Sequence, residues 1–123
     1  MGKHTTVYAS AARTATPTAV TFPAGRYNFL HLSIDVTAAT ATPSVVCTVD
    51  GLDTVSGKYY NLLTSAALTE SGVPFTRVLK IGPGLPVTAN VSANDILTDT
   101  IRVTMTHADS DSITYSVGAN LYD

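Results

Sequence analysis

The sequence predicts an all-β fold: an antiparallel β-sandwich or jelly-roll-like barrel of about seven to nine short strands, with an extended N-terminal arm. Three observations carry that expectation. Thr, Ala, Val and Ser make up about half of the 123 residues, and Thr and Val are β-branched types that suit a pleated strand better than a helix. Apolar and polar residues alternate with a period of two through much of the chain, as in strands with one face in a core and one in water. Turn-forming residues interrupt the alternation at roughly 8–12-residue intervals, the spacing of sandwiches and barrels. At 12.8 kDa the chain has the size of one domain, so residues 1–123 are expected to share a single core, with residues 1–18 as the arm.

Residues 5–9 and 18–22 carry short alternations that read as strands. Between them, residues 10–18 are rich in Ala and Thr, are punctuated by Pro17 and lack core periodicity, which predicts an arm that orders against a neighbour. Over residues 26–36, Leu30, Leu32, Ile34 and Val36 share one face while His31, Ser33 and Asp35 share the other. Residues 44–51 repeat the pattern with Val45, Cys47 and Val49, and Asp50-Gly51 reads as a turn. A further strand starts near Lys58 and runs through Tyr59, Tyr60, Leu62 and Leu63. Phe75, Leu79 and Ile81 stand in step before Gly82-Pro83-Gly84, a rigid loop that cannot continue a ladder. Ile101, Val103, Met105 and His107 alternate up to the turn residues Ala108-Asp109-Ser110-Asp111, and Ile113, Tyr115, Val117, Ala119 and Leu121 follow. These last two segments therefore read as one long antiparallel hairpin. Helix has little room. Only residues 64–69 and 92–97, where Ser92 or Asn94 could act as a cap, offer a single turn each.

Charge narrows the function classes. Seven Lys+Arg against nine Asp+Glu give a net charge of -2, and the cations are scattered, so there is no basic field for nucleic acid. Charged residues are only 13%, and so small a net repulsion hints at assembly into a homo-oligomer. A trimer would suit the three-fold points of an icosahedral shell. The start lacks the apolar segment of a secretory signal, and no run approaches a membrane span, so no membrane partner is expected and folding in a host cytoplasm follows. With Cys47 as the single cysteine, no internal disulfide staples the core.

Motifs for chemistry are weak. Cys47 falls on the apolar face of its strand and reads as core packing. His31 and His107 read as rim histidines hydrogen-bonded to backbone. His107, Asp109 and Asp111 have a suggestive spacing for a metal, but Asp and Ser are what a tight loop uses to satisfy its own backbone, so no metal is expected. Residues 51–58 nearly spell a phosphate loop, yet the glycines are one residue too far apart and Tyr59 stands where a Ser or Thr would hold magnesium. Asp50 and Asp53 lack a cleft for glycoside chemistry. No catalytic residue and no cofactor are assigned, and the chain is expected not to be an enzyme. The six tyrosines are more informative: Tyr59-Tyr60 sends one ring to each face of a strand, one into the core and the other free for a protein or carbohydrate contact.

Residues 49–69 (VDGLDTVSGKYYNLLTSAALT), 80–85 (KIGPGL) and 106–119 (THADSDSITYSVGA) resemble small proteins of tailed double-stranded DNA bacteriophages, a likeness that covers about two thirds of the chain. The resemblance implies a virion component and supplies no catalytic residues. The physical reading favours a capsid decoration, or cement, protein that binds the outside of the phage head and stabilises it through many weak contacts with the major capsid protein and with copies of itself. The alternative is a tail or head-fibre module that holds host-surface carbohydrate through Tyr59, Tyr60 and nearby Asp residues. Partner contacts are expected from the arm at Thr5, Thr6, Tyr8, Arg13 and Pro17, from Tyr59, and from the loop at Gly82, Pro83, Gly84 and Leu85.

Overall fold

The alternating segments become nine strands in two facing sheets in the computed structural model, which describes residues 2–123. They are β1 (Lys3–Arg13), β2 (Val20–Pro23), β3 (Phe29–Ala39), β4 (Val45–Asp53), β5 (Lys58–Thr64), β6 (Phe75–Ile81), β7 (Ser92–Ala93), β8 (Thr100–His107) and β9 (Ile113–Tyr122). One sheet has the order β1-β9-β3-β6-β7 and the other β2-β8-β4-β5. All pairings are antiparallel except the two-residue contact of β6 with β7. Four of them nest: β1 with β9, β2 with β8, β3 with β6 and β4 with β5. The chain is thus a long two-stranded ribbon closed by the β4–β5 turn and rolled until β3 meets β9 and β4 meets β8. This is the jelly-roll order, one of the closures that the alternation alone left open.

The apolar phase of each strand forms the core. Leu32, Ile34, Val45, Cys47, Val49, Ile101, Val103, Met105, Ile113 and Tyr115 are fully buried, and Leu68, from the segment joining β5 to β6, plugs the same core by backbone pairing with Val45. Sheets with both inner faces occupied in this way hold together by apolar burial, without a disulfide.

Four expectations are corrected. The final hairpin does not form: β8 and β9 lie in opposite sheets, and residues 108–112 cross between them. Both strands keep their predicted inward residues, because a hairpin and a sheet-to-sheet crossover demand the same alternation. The N-terminal segment is extended, but it is no free arm. Residues 3–13 are an integral strand paired along β9, and Val7 and Tyr8 are both buried at a bulge that breaks the two-residue period. Asp50-Gly51 is not a turn; β4 runs on to Asp53, and the reversal falls at residues 54–57, where Gly57 takes a φ of 73°. Residues 64–69 and 92–97 form no helix. Leu68 bridges to Val45, and Ser92–Ala93 adds to β6.

Candidate interaction surfaces

At the end of the sandwich where β1 leads into β2 and β8 into β9, the aromatic and basic residues of the predicted arm turn inward. The Tyr8 hydroxyl donates to the carbonyl of Thr18 at 2.8 Å and lies 3.3 Å from that of Val103 in the opposite sheet. The Arg13 guanidinium sits 4.5 Å from the Tyr115 ring centre and 5.4 Å from that of Tyr8. It donates to the carbonyls of Ala9, Ala11 and Tyr115, filling the bulge. Tyr8 is therefore a core residue. Arg13 is half-buried and engaged with its own sheet, Pro17 and Thr5 are half-buried, and Thr6 is exposed.

The outer face of the four-stranded sheet carries a polar cluster. Asp50 on β4 faces Arg102 on β8, with Nη2 at 3.0 Å from Oδ2, and Asn61 on β5 donates to its other oxygen at 3.2 Å. Arg102 also covers the Tyr59 ring at 3.9 Å. Tyr59 thus has one ring face occupied. Neither member of the tyrosine pair enters the core, which corrects the expectation that one ring is buried there: Tyr59 is half-buried and Tyr60 is 56% exposed at the rim.

The opposite end, built by the β4–β5 turn and residues 82–99, has a different character. Gly82 is buried, because Phe29 packs so closely that a Cβ at 82 would stand 2.1 Å from its ring. It offers a partner nothing, whereas Pro83 and Gly84 are exposed and Leu85 is half-buried. Residues 82–94 contain no charge. Val87 (72%) and Ile96 (66%) stand out from this segment, and Val55 (95%) stands out from the neighbouring turn. Thr98 lies against Gly51, beside Tyr60, so Ile96, Tyr60 and Val55 occupy one end. Sequence reading missed Val55, Val87 and Ile96. None of them belongs to a strand alternation, so only burial distinguishes them from the apolar residues that pack inward.

The residues of the histidine–aspartate turn are bound to other parts of the chain. His107 Nε2 lies 3.0 Å from the Tyr115 hydroxyl, Asp109 accepts from the amide of Asp111, and Asp111 accepts from the amide of Thr42. Among the described residues, no three His, Cys, Asp or Glu side chains gather as metal ligands would. Asp53 holds the β4–β5 turn through Val55 and Ser56, and these hydrogen bonds draw its pKa down. Burial pushes the Cys47 thiol up to about 12, as befits a core residue.

No family model matches the chain, and no curated protein matches it. Among solved structures it is similar to a chain in the structure of infectious bursal disease virus Gx strain, with a TM-score of 0.49 and 10% identity. The match covers 98% of this chain and 32% of that one, so this chain spans about a third of its length.

Proposed function

We propose that the chain is a non-enzymatic structural protein of a virion, and specifically a decoration protein on the outside of a tailed-phage head, held there by the major capsid protein and by copies of itself. The observation that carries this reading is how the surface is divided. The sheet edges carry features that hinder strand addition. β1 is bulged and tied by Arg13, and β2 has four residues ending in Pro23. β6 is capped by β7 and places Arg77 in phase with its inward residues, and the end of β5 is covered by Asn90 donating to Thr64. Three exposed apolar side chains, Val55, Tyr60 and Ile96, lie at one end, with Val87 on the adjoining uncharged segment. A surface of that kind is normally covered in an assembly.

The jelly roll serves viral shells and carbohydrate-binding domains alike, so the fold supports the reading only by analogy. The test is to count copies per purified particle by quantitative mass spectrometry and to titrate the isolated chain onto stripped heads. Saturation at the number expected from capsid symmetry, weakened by Val55→Asp or Ile96→Asp, is the expected result. A handful of copies per particle overturns the decoration reading.

A further inference from the structure

A glycine in the middle of a regular central strand needs a reason, because it forgoes packing and widens the unfolded ensemble. Gly118 sits in β9 between Thr6 of β1 and Ser33 of β3. A Cβ built on it meets nothing within 4 Å, and its φ is not in the left-handed region. Gly118 lies opposite the β1 bulge between Thr6 and Tyr8, and its bare backbone there leaves room for the close approach of another molecule.

The surroundings define that molecule's chemistry. Gly118 floors an open trough of ≈ 400 Å³ on the outer face of the five-stranded sheet, lined by Thr6, Ser10, Ser33, Asp35 and Ser116 with apolar surface at Ala9 and Val117 between them. A second recess of ≈ 390 Å³ shares Asp35 and Ser116 and continues to Phe75, so the depression runs across the sheet. In the next row His4, Asn120, His31 and Lys80 stand opposite one another on four adjacent strands. His4 Nδ1 lies 2.8 Å from Asn120 Oδ1, and Asn120 Nδ2 donates to the His31 carbonyl at 3.2 Å. Asp35 accepts the Thr76 hydroxyl through Oδ1. Beyond Asn120, on the same face of β9, Tyr122 is 43% exposed, its ring met edge-on by His4 and flanked by Gly2.

We propose that this face is a binding site for a neutral glycan chain. Hydroxyl, amide, imidazole and carboxylate groups interleave donors and acceptors as sugar hydroxyls require, and the Tyr122 ring offers an apolar platform beside them. The missing side chain at 118 lets a ring lie against the sheet. The Asp35 carboxylate, shared by both recesses, disfavours an acidic polymer, and the hydroxyl groups around it suit a sugar better than a protein contact, whose centre is mainly apolar. The site is separate from the apolar end assigned to the shell, and it stands or falls independently of that assignment.

The test uses the 123-residue chain and three soluble probes, maltotetraose, cellotetraose and N-acetylated chitotetraose, followed residue by residue by NMR. At millimolar concentration at least one probe is expected to give saturable shifts centred on Thr6, Ser33, Ser116, Gly118 and Asn120. Gly118→Val is expected to keep or raise Tm, since its side chain enters open space, while weakening that binding roughly tenfold or more. The proposal is overturned if no probe shifts these residues, if the shifts centre elsewhere, or if Gly118→Val binds as the parent does. Binding to stripped heads, read in parallel, reports on the virion assignment alone.

Discussion

The Nε2 of His107 lies 3.0 Å from the hydroxyl of Tyr115, although His107 ends β8 in one sheet and Tyr115 belongs to β9 in the other. The imidazole and phenol planes are tilted by 41° with centres 5.8 Å apart, and Arg13 lies over the same phenol. Three elements, β1, β8 and β9, are thereby joined across the sandwich where residues 108–112 pass between sheets. The cluster is a clasp, and its properties are measurable.

Burial, and then the Arg13 charge, push the His107 pKa below its ordinary 6.5, with Asp109 opposing. The folded chain therefore binds fewer protons than the unfolded chain just below that pH, and stability falls as pH drops through the window. Urea denaturation at about pH 7 and about pH 5 is expected to show this loss, and His107→Gln is expected to reduce it. An unchanged pH dependence in the variant would remove His107 from the account.

At the alkaline side the sign reverses. Burial holds the Cys47 thiol and the Tyr115 phenol protonated up to about 12, against ordinary values of 9.0 and 10.0. The stability this contributes is complete below about pH 9 and is lost as pH rises through the folded values. Cys47 is also expected to resist thiol reagents until the chain unfolds, so labelling in native buffer faster than global unfolding contradicts its placement.

Because β1 supplies Val7 and Tyr8 to the core, removing residues 2–13 is expected to abolish cooperative unfolding, where loss of a free arm would leave it intact. Tyr8→Phe is the milder probe. It withdraws the hydroxyl that reaches the carbonyls of Thr18 and Val103 and is expected to cost about 1 kcal/mol in denaturant titration.

Two glycines are expected to respond in opposite directions. Gly82→Ala drives a methyl against the Phe29 ring and is expected to destabilise by about 1–3 kcal/mol. Gly118→Ala fills open space in a regular strand and is expected to stabilise by about 0.5–1 kcal/mol. Equal effects in thermal melts would mean that the packing at one of them is misplaced.

Arg102→Met leaves the Asp50 carboxylate, whose side chain is only 12% exposed, without its cation. The expected loss is about 1–3 kcal/mol, partly recovered by adding Asp50→Asn, because the larger part of the cost is an unpaired buried charge. A double-mutant cycle with no coupling contradicts the ion pair.

Reading along the chain was enough to establish which side chains face inward. Leu30, Leu32, Ile34 and Val36, or Ile101, Val103 and Met105, declare their faces through a period of two that local backbone geometry imposes on any strand. The same period says nothing about partners. A strand followed by a turn and another strand looks alike whether the second returns beside the first or crosses to the facing sheet, and only the packing of the whole ribbon chose the crossover for β8 and β9. Likewise, the Ala- and Thr-rich start gave no core signal, because one bulge at Val7 and Tyr8 breaks the alternation and only pairing with β9 orders the rest. Surface features were least legible, since Gly118, Val55 and Ile96 acquire meaning only from what surrounds them in space. Pattern is local and decides orientation; neighbourhood is the sum of long-range contacts and had to be decided by the folded chain.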